Sequence, residues 1–361
     1  MNSRGLKEAL RNFYRRREVN NGSFGPHCFT QGLQPTYWSS SYPAMLYSLI
    51  GVLDEVADAD KKSWLSYLQN GQNPETGFFN EPITLENQPG PGTHKAEDIL
   101  WHGATFVIGA MHVLGGKPIH PFSIIDKYKK PGKMEEWLEG LDWTNPWKAG
   151  NWTYDMGCII GSDYEVTGDN SNIKAINEYF HWHDNNTDNE SGWWNPTGNA
   201  PLFMQQFGGY HSLMVYWMFG REVPDPEKMI ISSLSLQSEN GSYKEYGCCG
   251  DMDVIDTVVS LSRQYDICKK EVKASVEKFY PYLIKLWDKD GGFKGLHNEL
   301  HIDLGWKLHE GKICKADSCS TYFRTFTLSL VNEILELDWL LDIKWKHMDG
   351  FSHGRRPDKL L

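Results

Sequence analysis

The sequence predicts an all-α fold, an (α/α)6 toroid of six helical hairpins whose ring is closed by the N-terminal helix. Three observations predict it. A glycine-x-aromatic unit recurs along the chain at Gly22, Gly77, Gly150, Gly192, Gly241 and Gly291, at intervals of 55, 73, 42, 49 and 50 residues. Between these turns lie segments apolar on every side, such as 201–220 and 99–116, which must be buried all round. They alternate with amphipathic segments such as 58–70 and 269–288, which carry Lys and Glu on one face. Regular repetition of one supersecondary unit is the mark of a stacked or closed array.

The elements follow in order. Inner helices are expected near 38–56, 95–115, 154–166, 201–220, 253–267 and 319–338, and outer helices near 4–17, 59–70, 118–140, 170–184, 226–237 and 270–287. The first outer helix has no inner helix before it, and the last inner helix has no outer helix after it. Pairing these two ends closes the ring. With 361 residues and no Pro/Ser-rich linker, residues 1–361 read as a single domain.

Composition bounds the function. Aromatic residues make up 13% of the chain, with 15 Trp, which suits a large core or an aromatic-lined cavity. The net charge of −11 argues against a nucleic-acid partner, because phosphate binding needs a basic face. No apolar run reaches the length of about 20 residues that a membrane span requires. The N-terminal segment lacks the apolar stretch of a secretory signal, and seven cysteines form no dense framework. The expected compartment is cytoplasmic. The sequence leaves the oligomeric state open.

One turn carries more than glycine and an aromatic. "LQSENGSY" places Gln237 four residues before Gly241 and six before Tyr243, and "LQNGQNPETGFF" is a stretched version with Gln72 and Gly77. This resembles the glutamine–tryptophan repeat of the terpenoid cyclase and protein prenyltransferase superfamily of α/α toroids. The resemblance implies the toroid, and with it a terpenoid cyclase or prenyltransferase-like activity as one alternative. Two departures count against that chemistry. The acid motif of class II cyclases, Asp-x-Asp-Asp, fails at its last position in Asp251-Met-Asp253-Val254, and the Asp, Cys and His zinc set of prenyltransferases has no match in the same order.

Equivalent positions at the starts of the inner helices, Asp155 among them, define the expected site. Asp253, Asp256, His211, His102 and Asp98 are candidate catalytic groups, and Asp98, four residues before His102, is a candidate to orient it. Trp38, Tyr37, Trp101, Tyr210, Glu97, Arg324, Trp193 and Asp251 are candidate substrate contacts. Asp251 also suits a helix cap. Arg324, alone in an apolar helix, needs an anion, either a ring carboxylate or a charged substrate. Carboxylates and histidines beside tryptophans suit acid–base chemistry on a sugar. The expected function is therefore a carbohydrate-active enzyme, a hydrolase, lyase or epimerase acting on an oligosaccharide in the central cavity. A non-catalytic toroid binding glycan or protein is the remaining alternative. No cofactor and no metal are expected. Two weaker zinc patterns, Cys249 with Asp251 and His309 with Cys314 and Cys319, stay open, and the adjacent Cys248 and Cys249 read as small buried side chains.

Overall fold

The structure, a computed structural model, describes residues 2–19, 24–89, 95–243, 247–295, 306–311 and 315–347. Twelve α-helices lie among them. The inner ones are α2 (Tyr37–Leu49), α4 (Ala96–Val113), α6 (Pro146–Thr167), α8 (Leu202–Met218), α10 (Gly247–Tyr265) and α12 (Ser318–Leu335). The outer ones are α1 (Ser3–Arg15), α3 (Asp58–Asn70), α5 (Lys133–Glu139), α7 (Asn170–Asp184), α9 (Pro226–Leu234) and α11 (Lys269–Lys285). Each inner helix packs on the next, and α12 packs on α2, so the inner ring is closed.

The turns explain why. Gly77, Gly192, Gly241 and Gly291 all have φ between 80° and 97°, the left-handed region that glycine enters without steric cost. Two residues on, Phe79, Trp194, Tyr243 and Phe293 each form an isolated antiparallel bridge with the chain leaving the preceding outer helix. Each of these four turns is pressed against the next outer segment. A Cβ on Gly77 would lie 2.4 Å from the Pro121 carbonyl oxygen, and one on Gly241 2.3 Å from that of Lys278. The last turn repeats this contact with the first helix: a Cβ on Gly291 would lie 3.0 Å from the Ala9 carbonyl oxygen.

The glutamines of the repeat act in the same contact. Gln72 donates to the carbonyls of Gly77 and His120 and accepts from the N–H groups of Ile119 and His120. Gln237 donates to Gly241 and Ser275 carbonyls and accepts from the Ser275 hydroxyl. One side chain thus ties its own turn to the following outer segment.

Helix α1 closes the ring with four fully buried residues, Leu6, Leu10, Phe13 and Tyr14. The Tyr14 hydroxyl donates to the Ser318 carbonyl at the start of α12, and Arg16 reaches Asp290 in the last turn.

Three expectations are corrected. Gly150 does not sit in a turn. It lies inside α6, which starts eight residues earlier than expected, and there it lets α6 approach α8 at Gly208. Helix α10 starts at Gly247, six residues early, so Asp251 lies inside the helix and does not cap it. The outer segment 118–140 is helical only over α5 and a short 3-10 turn at Ser123–Ile125, because Pro118, Pro121 and Pro131 interrupt it. The turn at Gly22 lies outside the described residues.

Candidate active site

Side chains from five inner helices meet on the ring axis. Tyr42 of α2, Phe106 of α4 and Tyr322 and Phe323 of α12 form an aromatic floor, with Tyr42 and Phe106 ring centroids 5.3 Å apart and Phe106 and Phe323 5.9 Å apart. One turn nearer the helix starts, polar groups replace them. Trp38 of α2 meets His102 of α4 edge to face at 5.7 Å. His102 lies 6.1 Å from Tyr154 of α6 and 6.3 Å from His211 of α8.

His102 is held by Asp155 of α6, its Nδ1 2.9 Å from Oδ1. A carboxylate only accepts, so Nδ1 carries a proton, and in the neutral ring Nε2 is the acceptor. The His102 side chain keeps 14% of its surface exposed, while Asp155 keeps 3%. An imidazole with a carboxylate behind it is an arrangement that suits a base. His211 Nδ1 donates to the Phe207 carbonyl at 2.6 Å, which again leaves Nε2 as the acceptor. Burial, reinforced by neighbouring His102, lowers the His211 pKa to about 3, so it stays neutral.

The expected local pair of Asp98 with His102 is corrected. The Asp98 carboxylate accepts the Lys95 N–H at 2.7 Å, closing the first turn of α4, and Asp155 orients His102 instead. Glu97, beside it, is exposed.

The acidic run of α10 divides three ways. Asp251 pairs with Arg324 and accepts the Tyr243 N–H at 2.9 Å, and Arg324 also donates to the Gly295 carbonyl at 2.8 Å. Both are wholly buried, so the lone cation of α12 meets its anion within the protein and not in a ligand. Asp256 accepts from the hydroxyls of Tyr210 at 2.9 Å and Ser260 at 2.7 Å. Burial lifts its pKa to about 6. Asp253 is also buried, and its Oδ2 has no hydrogen-bond partner among the described residues. Burial pushes its pKa well up.

The aromatic candidates separate as well. Trp38 is on the axis, under the segment 306–311, where His309 lies tilted at 50° to it with ring centroids 4.7 Å apart and bonds Thr36. Trp101 packs between Phe78 and Trp152 at the α4–α6 seam. Tyr37 turns outward onto Tyr67 of α3 at 5.1 Å. Trp193 is wholly buried, wedged on Gly209 with its N–H given to Ser232, so it offers no stacking face at the mouth.

Sequence reasoning missed two features. Glu81 accepts the N–H groups of Tyr37 and Trp38 at the start of α2, and burial raises its pKa to about 7. Its place two residues beyond the turn aromatic Phe79 was the available signal. The thiols of Cys248, Cys249 and Cys319 converge within 4.8 Å of one another. Cys319 therefore joins the α10 cysteines and not His309, while Cys314 lies outside the described residues. No helix among the described residues is long and apolar enough to cross a membrane.

No family model matches the chain, and no curated protein matches it in sequence. Solved structures share its outline. Glycosyl hydrolase family 88 from Bacteroides vulgatus is 12% identical, with 93% of this chain and 100% of that chain covered and a TM-score of 0.49. A GH76 α-mannanase from Bacteroides thetaiotaomicron is 12% identical over 92% of this chain and 97% of that one, with a TM-score of 0.48. The type II terpene cyclase MstE from Scytonema is 12% identical over 93% and 98%, with a TM-score of 0.47. At these values the likeness carries no argument about chemistry, and the toroid rests on the helices and turns of this chain itself.

Proposed function

We propose that the chain is a carbohydrate-active enzyme whose acid–base centre is the His102–Asp155 pair at the mouth of the ring. The observation that carries this reading is a partly exposed imidazole held through Nδ1 by a buried carboxylate from another helix. His211, neutral and 6.3 Å away, is the second group in reach of a substrate there. The Asp253 and Asp256 pair is the weaker candidate, because both are enclosed and Asp256 already accepts two hydroxyls.

A histidine base suits abstraction of a proton from a sugar carbon or hydroxyl, the chemistry of a lyase or epimerase, better than the paired carboxylates of most glycosidases. Trp38 packs edge to face on His102 and, being buried beneath His309, fixes the imidazole and offers no open face to a sugar. With Arg324 engaged by Asp251, it is not the group that would hold a uronate carboxylate, and proton abstraction at a sugar carbon then needs a carbonyl beside that carbon, such as the open-chain aldehyde of a reducing-end sugar.

The test is a panel of neutral and uronic oligosaccharides and prenyl diphosphates, followed by product analysis for new reducing ends, unsaturated sugars or inverted centres. His102→Ala and Asp155→Asn should each lower turnover on the active glycan by about 10²- to 10⁴-fold, with melting temperatures close to wild type. Turnover of a prenyl diphosphate alone, or full glycan turnover in His102→Ala, would overturn the reading.

A further inference from the structure

Three cysteines distant in sequence are brought to one point by the ring. Cys248 and Cys249 lie in the first turn of α10, and Cys319 lies in the first turn of α12, the helix next to it in the ring. Their sulfur atoms all lie within 4.8 Å of one another, with Cys248 and Cys249 Sγ atoms 4.0 Å apart. A tetrahedral zinc with bonds of about 2.3 Å to sulfur holds its thiolates about 3.8 Å apart, so the cluster needs only small side-chain shifts to close on an ion.

A buried carboxylate lies one turn further along α10, outside the group of atoms within 4.8 Å. Asp253 follows Cys249 by four residues, which puts both on one face of α10. Its carboxylate is 99% buried, and Oδ2 has no hydrogen-bond partner among the described residues. A buried carboxylate oxygen without a donor costs free energy that an ion would recover. The Arg324–Asp251 pair brings a cation within electrostatic range of Cys248, which offsets part of the charge that several thiolates would gather.

We propose that Cys248, Cys249 and Cys319 form a binding site for a thiophilic divalent cation, zinc first, at the starts of α10 and α12, with the Asp253 carboxylate one turn along α10 taking the fourth position after a side-chain rotation. The ligand set of three sulfurs and one oxygen suits zinc or cadmium and does not suit magnesium or calcium, which prefer oxygen. Each thiol that binds gives its proton to solvent, so affinity rises with pH. The ion would clamp two neighbouring inner helices. Cys249, which is half-buried while Cys248 and Cys319 are buried, marks the side open to the mouth. This site is independent of the proposed role of His102.

The test is titration of the reduced, metal-free full chain with Co²⁺ and then Zn²⁺. The expected result is about one equivalent bound, with a thiolate-to-cobalt charge-transfer band that Zn²⁺ abolishes. The Cys249→Ser/Cys319→Ser double variant should lose the band, and Asp253→Asn should weaken binding by about tenfold or more. Cys28→Ser and Cys268→Ser, outside the cluster, should leave it intact. Should the double variant fail to fold, the wild type decides: saturating Zn²⁺ should protect three of the seven thiols from a thiol reagent. A cobalt complex without sulfur bands, a band that survives in the double variant, or unprotected thiols would each overturn the proposal. So would a disulfide within the cluster, seen as a loss of two hydrogens in the intact mass, in protein purified with zinc and without reductant.

Discussion

At the scale of residues, the interior of the ring separates groups that serve the fold from groups left to act. Arg324 and Asp251 belong to the first kind. Both are wholly buried and paired with each other, and backbone groups of Tyr243 and Gly295 complete their hydrogen bonding. Such a pair adds little over an apolar pair, yet losing one member strands a charge. Arg324→Leu should therefore cost about 3–5 kcal/mol in urea unfolding. The double variant Arg324→Leu/Asp251→Leu should recover much of that loss. Equal losses in the single and double variants would show that packing, not the stranded carboxylate, sets the cost.

Much of this was not legible in the sequence, for a physical reason. His102 and Asp98 are four residues apart on one helix, so a local pair looked natural. The backbone of α4 has the stronger claim on Asp98, because the first N–H groups of a helix lack partners within it. The carboxylate that does hold His102 lies 53 residues away, on the neighbouring inner helix. Cys249 and Cys319 are likewise on different helices. Short-range spacing identifies residue types in reach of the axis, but ring geometry selects the partners.

At the scale of elements, the turns were readable and one imitation was not. A glycine with an aromatic two residues on marks four turns because positive φ and a bridging aromatic are both needed there. Gly150 and Trp152 have the same spacing inside α6, where the glycine serves close helix approach instead. Composition alone does not distinguish these two uses. A Cβ on Gly150 would lie 2.2 Å from the Gly208 carbonyl oxygen, and one on Gly208 would lie 2.1 Å from that of Pro146. These atoms are backbone and cannot swing aside. Gly208→Ala should force α6 and α8 apart and cost about 1–3 kcal/mol or more. Gly140→Ala is the control, since its Cβ would meet only ordinary contacts of 3.4 Å and beyond. Similar melting temperatures for both variants would remove the close-approach explanation.

At the scale of the whole molecule, burial within and behind the ring couples stability to pH. His183 is fully buried between α7 and α8, with Nδ1 donating to the Tyr179 carbonyl and Nε2 near the Ser212 hydroxyl. Desolvation lowers its pKa to about 3, below the ordinary value of 6.5. The unfolded chain then binds the proton first. His183 thus contributes stability that is present above pH 6.5 and lost as pH falls from there toward 3, by about 1.4 kcal/mol per pH unit. Asp256 and Glu81, with raised pKa values, act in the opposite direction below about pH 6 and 7. A comparison with His183→Gln isolates the histidine: the variant should lose less stability than wild type between pH 6.5 and 4. Parallel pH profiles would place the acid sensitivity elsewhere.

The ring also defines where the chemistry is to be sought, because five inner helices deliver aromatic and polar groups to one axis and His102, the proposed base, is partly exposed there. The most direct measurement is imidazole NMR of ¹⁵N-histidine-labelled protein, with His102 assigned by its absence in His102→Ala. The account predicts a protonated Nδ1 and a lone pair on Nε2 in the free protein, and a shift of Nε2 on saturation with the oligosaccharide that is turned over. An Nε2 resonance that stays fixed under saturating oligosaccharide, while turnover continues, would contradict it.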